Sequence, residues 1–192
     1  DVVALGGRGG GGAHGTGVVT QAPQVAQSVA QGVRTSGAVA WWPRRERFMH
    51  VAKERGLTRN PICRGLKPEE ALDLIAHSLC QAIFHDLEKS TGVNVWTFAQ
   101  NIAGGWFERS GDWGPLRALM DILSTSARAV VDEIGTQDTN LGFLLSVAVS
   151  RALVVAELAI GGLLVERLDR VAAQLITVQA AMQGTLHASI RR

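Results

Sequence analysis

The chain of 192 residues has no tyrosine, two cysteines and only 19% charged side chains. Cys63 and Cys80 form neither a CxxC pair nor a dense framework, which excludes a disulfide scaffold and a zinc ribbon. The shortage of charge beside a 46% hydrophobic share excludes a wholly disordered chain, because disordered segments are apolar-poor and charge-rich. No basic stretch followed by an apolar run opens the chain, so no secretory signal is expected. Beyond residue 43 no alternation of apolar and polar residues competes with helical spacing, which argues against sheet.

What the chain has is unevenly placed. Eight glycines fall between Gly6 and Gly17, and Arg8, Arg34 and Asp1 are the only charges in the first 43 residues. From Arg44 to Lys67 eight basic residues face Glu46 and Glu54, a balance of +6. From Pro68 to the end fourteen acidic residues face nine basic ones, a balance of −5. A basic front segment ahead of an acidic body is the electrostatic layout of an arm that meets phosphates or anionic headgroups.

The expected fold is all-α: a bundle of four to five helices preceded by an extended, Gly-rich and helical N-terminal arm. The arm covers residues 1–67 and the body 68–192. Within the arm, the glycine tail precedes a short uncharged helix over 23–34, where Val25, Val29 and Val33 repeat every four residues. Trp41, Trp42 and Pro43 then lead into a basic helix from Arg44 to Arg55, ended by Gly56.

In the body, Pro68, Glu69 and Glu70 make a favourable first turn, and Leu72, Ile75, Ala76, Leu79, Ile83 and Leu87 form one apolar face up to Gly92. A second helix over 93–109 places Trp96, Ala99, Ile102, Ala103 and Trp106 on one face. A third, from Pro115 to Gly135, does so with Leu116, Leu119, Leu123, Ala127, Val130 and Ile134. The apolar stretch from Leu141 to Met182 reads as two helices or as one long kinked helix, because Gly161 and Gly162 interrupt it.

The 25 residues from Leu141 to Val165 are long enough to span a bilayer, but Arg151 and Glu157 sit near the middle. Insertion of the 14 large apolar residues is worth about −4 to −8 kcal/mol and the two charges cost about +5 to +7, so the sum is near zero. Burial in a bundle or between subunits is therefore expected ahead of insertion, with membrane contact as the alternative.

Three chemical motifs are incomplete. Gly7, Gly9 and Gly12 have the spacing of a dinucleotide-binding turn, but no acidic residue follows before Glu46 to hold a ribose. Gly10, Gly15 and Thr16 lack the lysine of a phosphate loop. His77 and Cys80, three apart on one helix, are half of a metal site without a second pair.

The run from Ala82 through His85 and Asp86 to Lys89 resembles the apolar run ending in His-Asp of HD-domain phosphohydrolases. That resemblance implies a divalent metal held by His50, His85, Asp86 and Asp132 or Asp138, which would activate water against a phosphoester. It departs from the family after His50, where the helix stops at Gly56. No metal or other cofactor is otherwise expected.

The order of GGRGGGGAHGTG, the Val/Gln helix and WWPRRERF ahead of an acidic helical body resembles the α-helical coat proteins of filamentous archaeal viruses. The resemblance implies an arm on the genome and a bundle packed against neighbouring copies, in a virion or other large assembly. In that reading Arg44, Arg45, Arg47, Lys53, Arg55 and Arg59 neutralise nucleic-acid phosphates without reading sequence. Trp41 and Trp42 stack on bases, anchor at a membrane interface, or staple the arm to the body. The partners are copies of the chain itself or a paralogous subunit, and a nucleic-acid backbone. The alternatives are a helical accessory subunit of a membrane or organellar complex and the HD-type hydrolase.

Overall fold

A computed structural model describes residues 36–190, with side chains up to 183, and every regular element in that range is helical. The glycine tail and the helix expected over 23–34 lie outside the described residues. A helical segment over 36–41 and a 3₁₀ turn at Trp42–Arg44 lead into α1, Arg45–Glu54. Gly56, at φ +90°, makes the left-handed turn that ends it. Two further 3₁₀ turns, Leu57–Arg59 and Pro61–Cys63, bring the chain to α2.

Helix α2 is composite: α-helical over Pro68–Ala71, π-helical over Leu72–His77 and α-helical again over Ser78–Lys89. The widened turn leaves the Ser78 hydroxyl donating to the Asp73 carbonyl at 3.2 Å, five residues back. Helices α3 (Val93–Arg109), α4 (Gly114–Gln137) and α5 (Thr139–Ile190) complete the five-helix body. Helix α5 lies on α3 and α4, α1 on α4 and the π turn, and the end of α2 on α3. The all-α bundle is the fold the sequence leads one to expect.

One apolar cluster runs through the body. Ile75, Leu79 and Ile83 of α2 meet Val95 of α3, Leu116, Leu119 and Leu123 of α4, and Leu145, Val149 and Ile160 of α5. The face expected on α4 is buried throughout. On α3 three of the five expected residues, Ala99, Ala103 and Trp106, are buried; Val95 and Phe107 join them, Ile102 is only partly buried and Trp96 stays on the surface.

One boundary differs from the sequence reading. Residues 36–67, assigned there to the arm, are packed into the body: Trp41, Phe48 and Leu57 are fully buried in the shared core. Of the two readings of the last stretch, the structure has the single helix, 52 residues long and undivided at Gly161 and Gly162. Two glycines cost about 1 kcal/mol each in a helix interior. That cost is small beside the burial of Leu153, Ala156, Ala159 and Ile160 immediately before them.

Candidate assembly face and nucleic-acid interface

The six basic residues proposed for phosphate contact separate into two groups once folded. Arg44 is turned inward, with 17% of its side chain exposed. Its guanidinium donates to Glu133 at 3.2 Å, to the Ala40 carbonyl at 2.6 Å and to Gln137 at 2.5 Å, so it clamps α1 to α4. Arg47 reaches the other oxygen of Glu133 at 3.9 Å. Arg45 lies over the Trp42 ring at 5.3 Å and touches Glu46 at 4.0 Å.

Lys53, Arg55 and Arg59 are exposed and enter no ion pair among the described residues. The same holds for Arg64, which shares an open cleft with Arg109 beside Pro61, Trp106 and Asp112. Arg64 belongs to the +6 run but was not singled out in the sequence; Arg109 was invisible there, because only the fold carries the end of α3 to the loop after α1. The available cations are thus the end of α1 and the turns that follow it.

Both tryptophans pack against the body. Trp41 is fully buried, its indole N–H donating to the Cys80 carbonyl at 3.1 Å, and its ring meets Phe48 edge-on at 6.1 Å. Trp42 is half-buried against Phe84 at 5.1 Å and His77 at 5.8 Å. A base cannot stack on Trp41 in this fold.

The four candidate metal ligands are not assembled. His50 pairs with Glu54 at 3.2 Å on the surface of α1, and His85 with Glu88 at 3.4 Å on α2. Asp132 is exposed on α4. Asp86 is buried and fully engaged: its carboxylate accepts from the Thr91 hydroxyl (2.7 Å), the Asn94 amide N–H (3.1 Å) and side chain (2.7 Å), and the Val95 N–H (2.9 Å). It caps the first turn of α3, which is why an acidic residue closes the apolar run of α2. Among the described residues no three His, Cys, Asp or Glu side chains are grouped to hold a metal.

Both cysteines are buried thiols. Burial pushes Cys80 up to about 12, against smaller opposing effects of the Trp41 hydrogen bond and the Arg45 charge, and it raises Cys63 as well. Neither is a nucleophile at neutral pH.

An exposed apolar surface lies on α5. Toward the bundle it presents Leu145, Val149, Leu153, Ala156 and Ile160; on the opposite side Phe143, Val147, Val154 and Leu158 are 47–68% exposed. The apolar strip continues past the bundle, where Val165, Leu168, Leu175 and Ile176 are 57–67% exposed and every residue from Leu168 to Gln183 is on the surface. A helix apolar on both sides is a buried helix, and the described residues leave the outer apolar strip of α5 uncovered.

By length and composition Thr139–Gln183 is also able to cross a membrane, the one described helix that is. Its most apolar part, however, supplies one wall of the bundle core. No family model, curated protein or solved structure matches the chain.

Proposed function

We propose that this chain is a non-enzymatic structural subunit that self-assembles through the exposed face of α5 and contacts nucleic-acid phosphates through the cations that follow α1. The observation that carries the reading is the uncovered apolar strip of α5, whose length exceeds the bundle it is built on. Assembly covers such a strip without any catalytic group. Lys53, Arg55, Arg59 and Arg64, all exposed and without an ion pair among the described residues, supply a non-specific electrostatic contact of the kind that releases counterions. This is the role that the likeness to helical coat proteins implies, in a virion or other large assembly with nucleic acid.

The test is light scattering of the purified chain with and without arbitrary nucleic acid, at low and high salt. The reading requires assemblies larger than one chain and binding that weakens steeply with salt. A monodisperse monomer in all four conditions overturns it.

The second reading, a membrane-associated accessory subunit, draws on the length and apolarity of α5. It is weaker because Leu145, Val149 and Leu153 would have to leave the core for that stretch to enter lipid, and because Arg151 and Glu157 lie within it. Partition into a detergent phase without nucleic-acid binding would favour it.

A further inference from the structure

The exposed strip of α5 has a seven-residue repeat. Leu144, Arg151, Leu158, Val165, Ala172 and Gln179 follow one another every seven residues, and three residues after each of the first five come Val147, Val154, Gly161, Leu168 and Leu175. These are the a and d positions of a coiled-coil seam. The positions that face the bundle core, such as Leu145, Val149, Ala156 and Ile160, fall on the opposite b, c and f side. Past the bundle those b, c and f positions turn polar, with Glu166, Arg167, Arg170 and Gln174, while the seam stays mainly apolar. The bundle therefore leaves the whole seam open, and the amphipathic pattern outlasts the bundle that hides the other face.

We infer that the seam is covered by the α5 helix of a second copy running antiparallel, with the two-fold axis near Leu163. The inference rests on the assembly reading and specifies its contact. Two observations select this occupant. First, area: the eleven large apolar side chains on or beside the strip, from Phe143 to Val178, are each at least 41% exposed, and covering them buries on the order of 800 Å² per copy, the size of a standard stable interface.

The second observation is the content of the layers. A parallel, in-register pair stacks Arg151 on the partner's Arg151 and Gly161 on the partner's Gly161, which places like charges together and leaves a void. The antiparallel register sets Arg151 against the partner's Leu175, along which its aliphatic stem can lie while the guanidinium reaches water. It also sets Gly161 against the partner's Val165 and Ala172 against the partner's Val154, so that small meets large in these two layers. Leu158 then faces the partner's Leu168. Added Cβ atoms at Gly161 and Gly162 meet nothing within 4 Å in the single chain, so space there is left for the partner's side chains. The projecting end of each helix covers the seam over the other's bundle.

The test uses the full chain with Leu158→Cys and Leu168→Cys, prepared separately. Both sites are exposed and the native thiols are buried, so cross-links report the introduced pair. Circular dichroism checks that each variant remains folded. After the two are mixed, dissociated, reassociated and mildly oxidised, the mixture is expected to give a disulfide dimer at least tenfold more abundantly than either variant alone. Self-cross-linking of each variant alone, within a particle that still forms, overturns the antiparallel register and leaves the assembly reading standing. A particle with none of the three cross-links shows that another face makes the contact and overturns the inference. A monomer in light scattering at every concentration overturns both.

Discussion

Gly142, in the first turn of α5, faces Gly135, in the last turn of α4, so closely that a Cβ on Gly142 would collide with the Gly135 Cα and lie 2.9 Å from its amide nitrogen. The relation is not symmetric. A Cβ on Gly135 would meet the Gly142 Cα at 3.7 Å, an ordinary contact. Gly142→Ala is therefore expected to destabilise the chain by about 2–3 kcal/mol through displacement of α5 against α4. Gly135→Ala is expected to be neutral, or to stabilise by up to about 1 kcal/mol through helix propensity. Urea unfolding of the two variants measures the contrast, and equal effects would contradict the packing described.

The two arginine groups predict opposite outcomes. Arg44→Gln removes the clamp to Glu133 and Ala40 and should lower the unfolding midpoint while leaving nucleic-acid affinity nearly unchanged. Arg55→Gln, Arg59→Gln and Arg64→Gln should leave stability within about 0.5 kcal/mol. Each that contacts phosphate should reduce the slope of log K against log salt by about 1. Fluorescence anisotropy with single-stranded and duplex DNA of arbitrary sequence, across a salt series, separates the two classes.

Trp41→Ala should cost about 3–5 kcal/mol, the usual range for emptying a fully buried aromatic site. Loss of nucleic-acid binding in that variant would reflect unfolding, so thermal denaturation is read first. Trp42→Ala should cost less, because Trp42 is only half-buried, against Phe84 and His77.

Asp86→Ala should destabilise by about 2–3 kcal/mol, since a buried acceptor of one O–H and three N–H donors is lost and those donors are left unpaired. Divalent metal should have no effect on the melting temperature of either Asp86→Ala or the parent chain. A metal-dependent rise in the parent that disappears in the variant would revive a hydrolase reading.

The Cys80 thiol, pushed up to about 12 by burial, holds its proton in the folded chain over a range in which the unfolded chain loses it. Between pH 9 and 12 the native state binds more protons than the unfolded one, so its stability falls as pH rises. Below pH 9 this contribution is fully present. Unfolding midpoints from pH 8 to 11 should decline in the parent and decline less in Cys80→Ala, and a thiol reagent should leave folded Cys80 unmodified at pH 8.

Periodicity alone determined the helical class and most of the core. The α4 face was readable because its apolar residues recur at helical spacing, and so was the run in α2 from Leu72 to Ile83. Charge counting located the basic segment, because charge is a property of composition. Which cations remain available was decided only by the tertiary structure, because Glu133 and Gln137, some ninety residues away, return to Arg44. The same long-range closure placed Trp41 in the core and made Asp86 a helix cap. The seam on α5 was written in the sequence as a seven-residue repeat, but a repeat does not say which side is already covered. Only the packing of α3 and α4 on one side of α5 showed that the other side remains open.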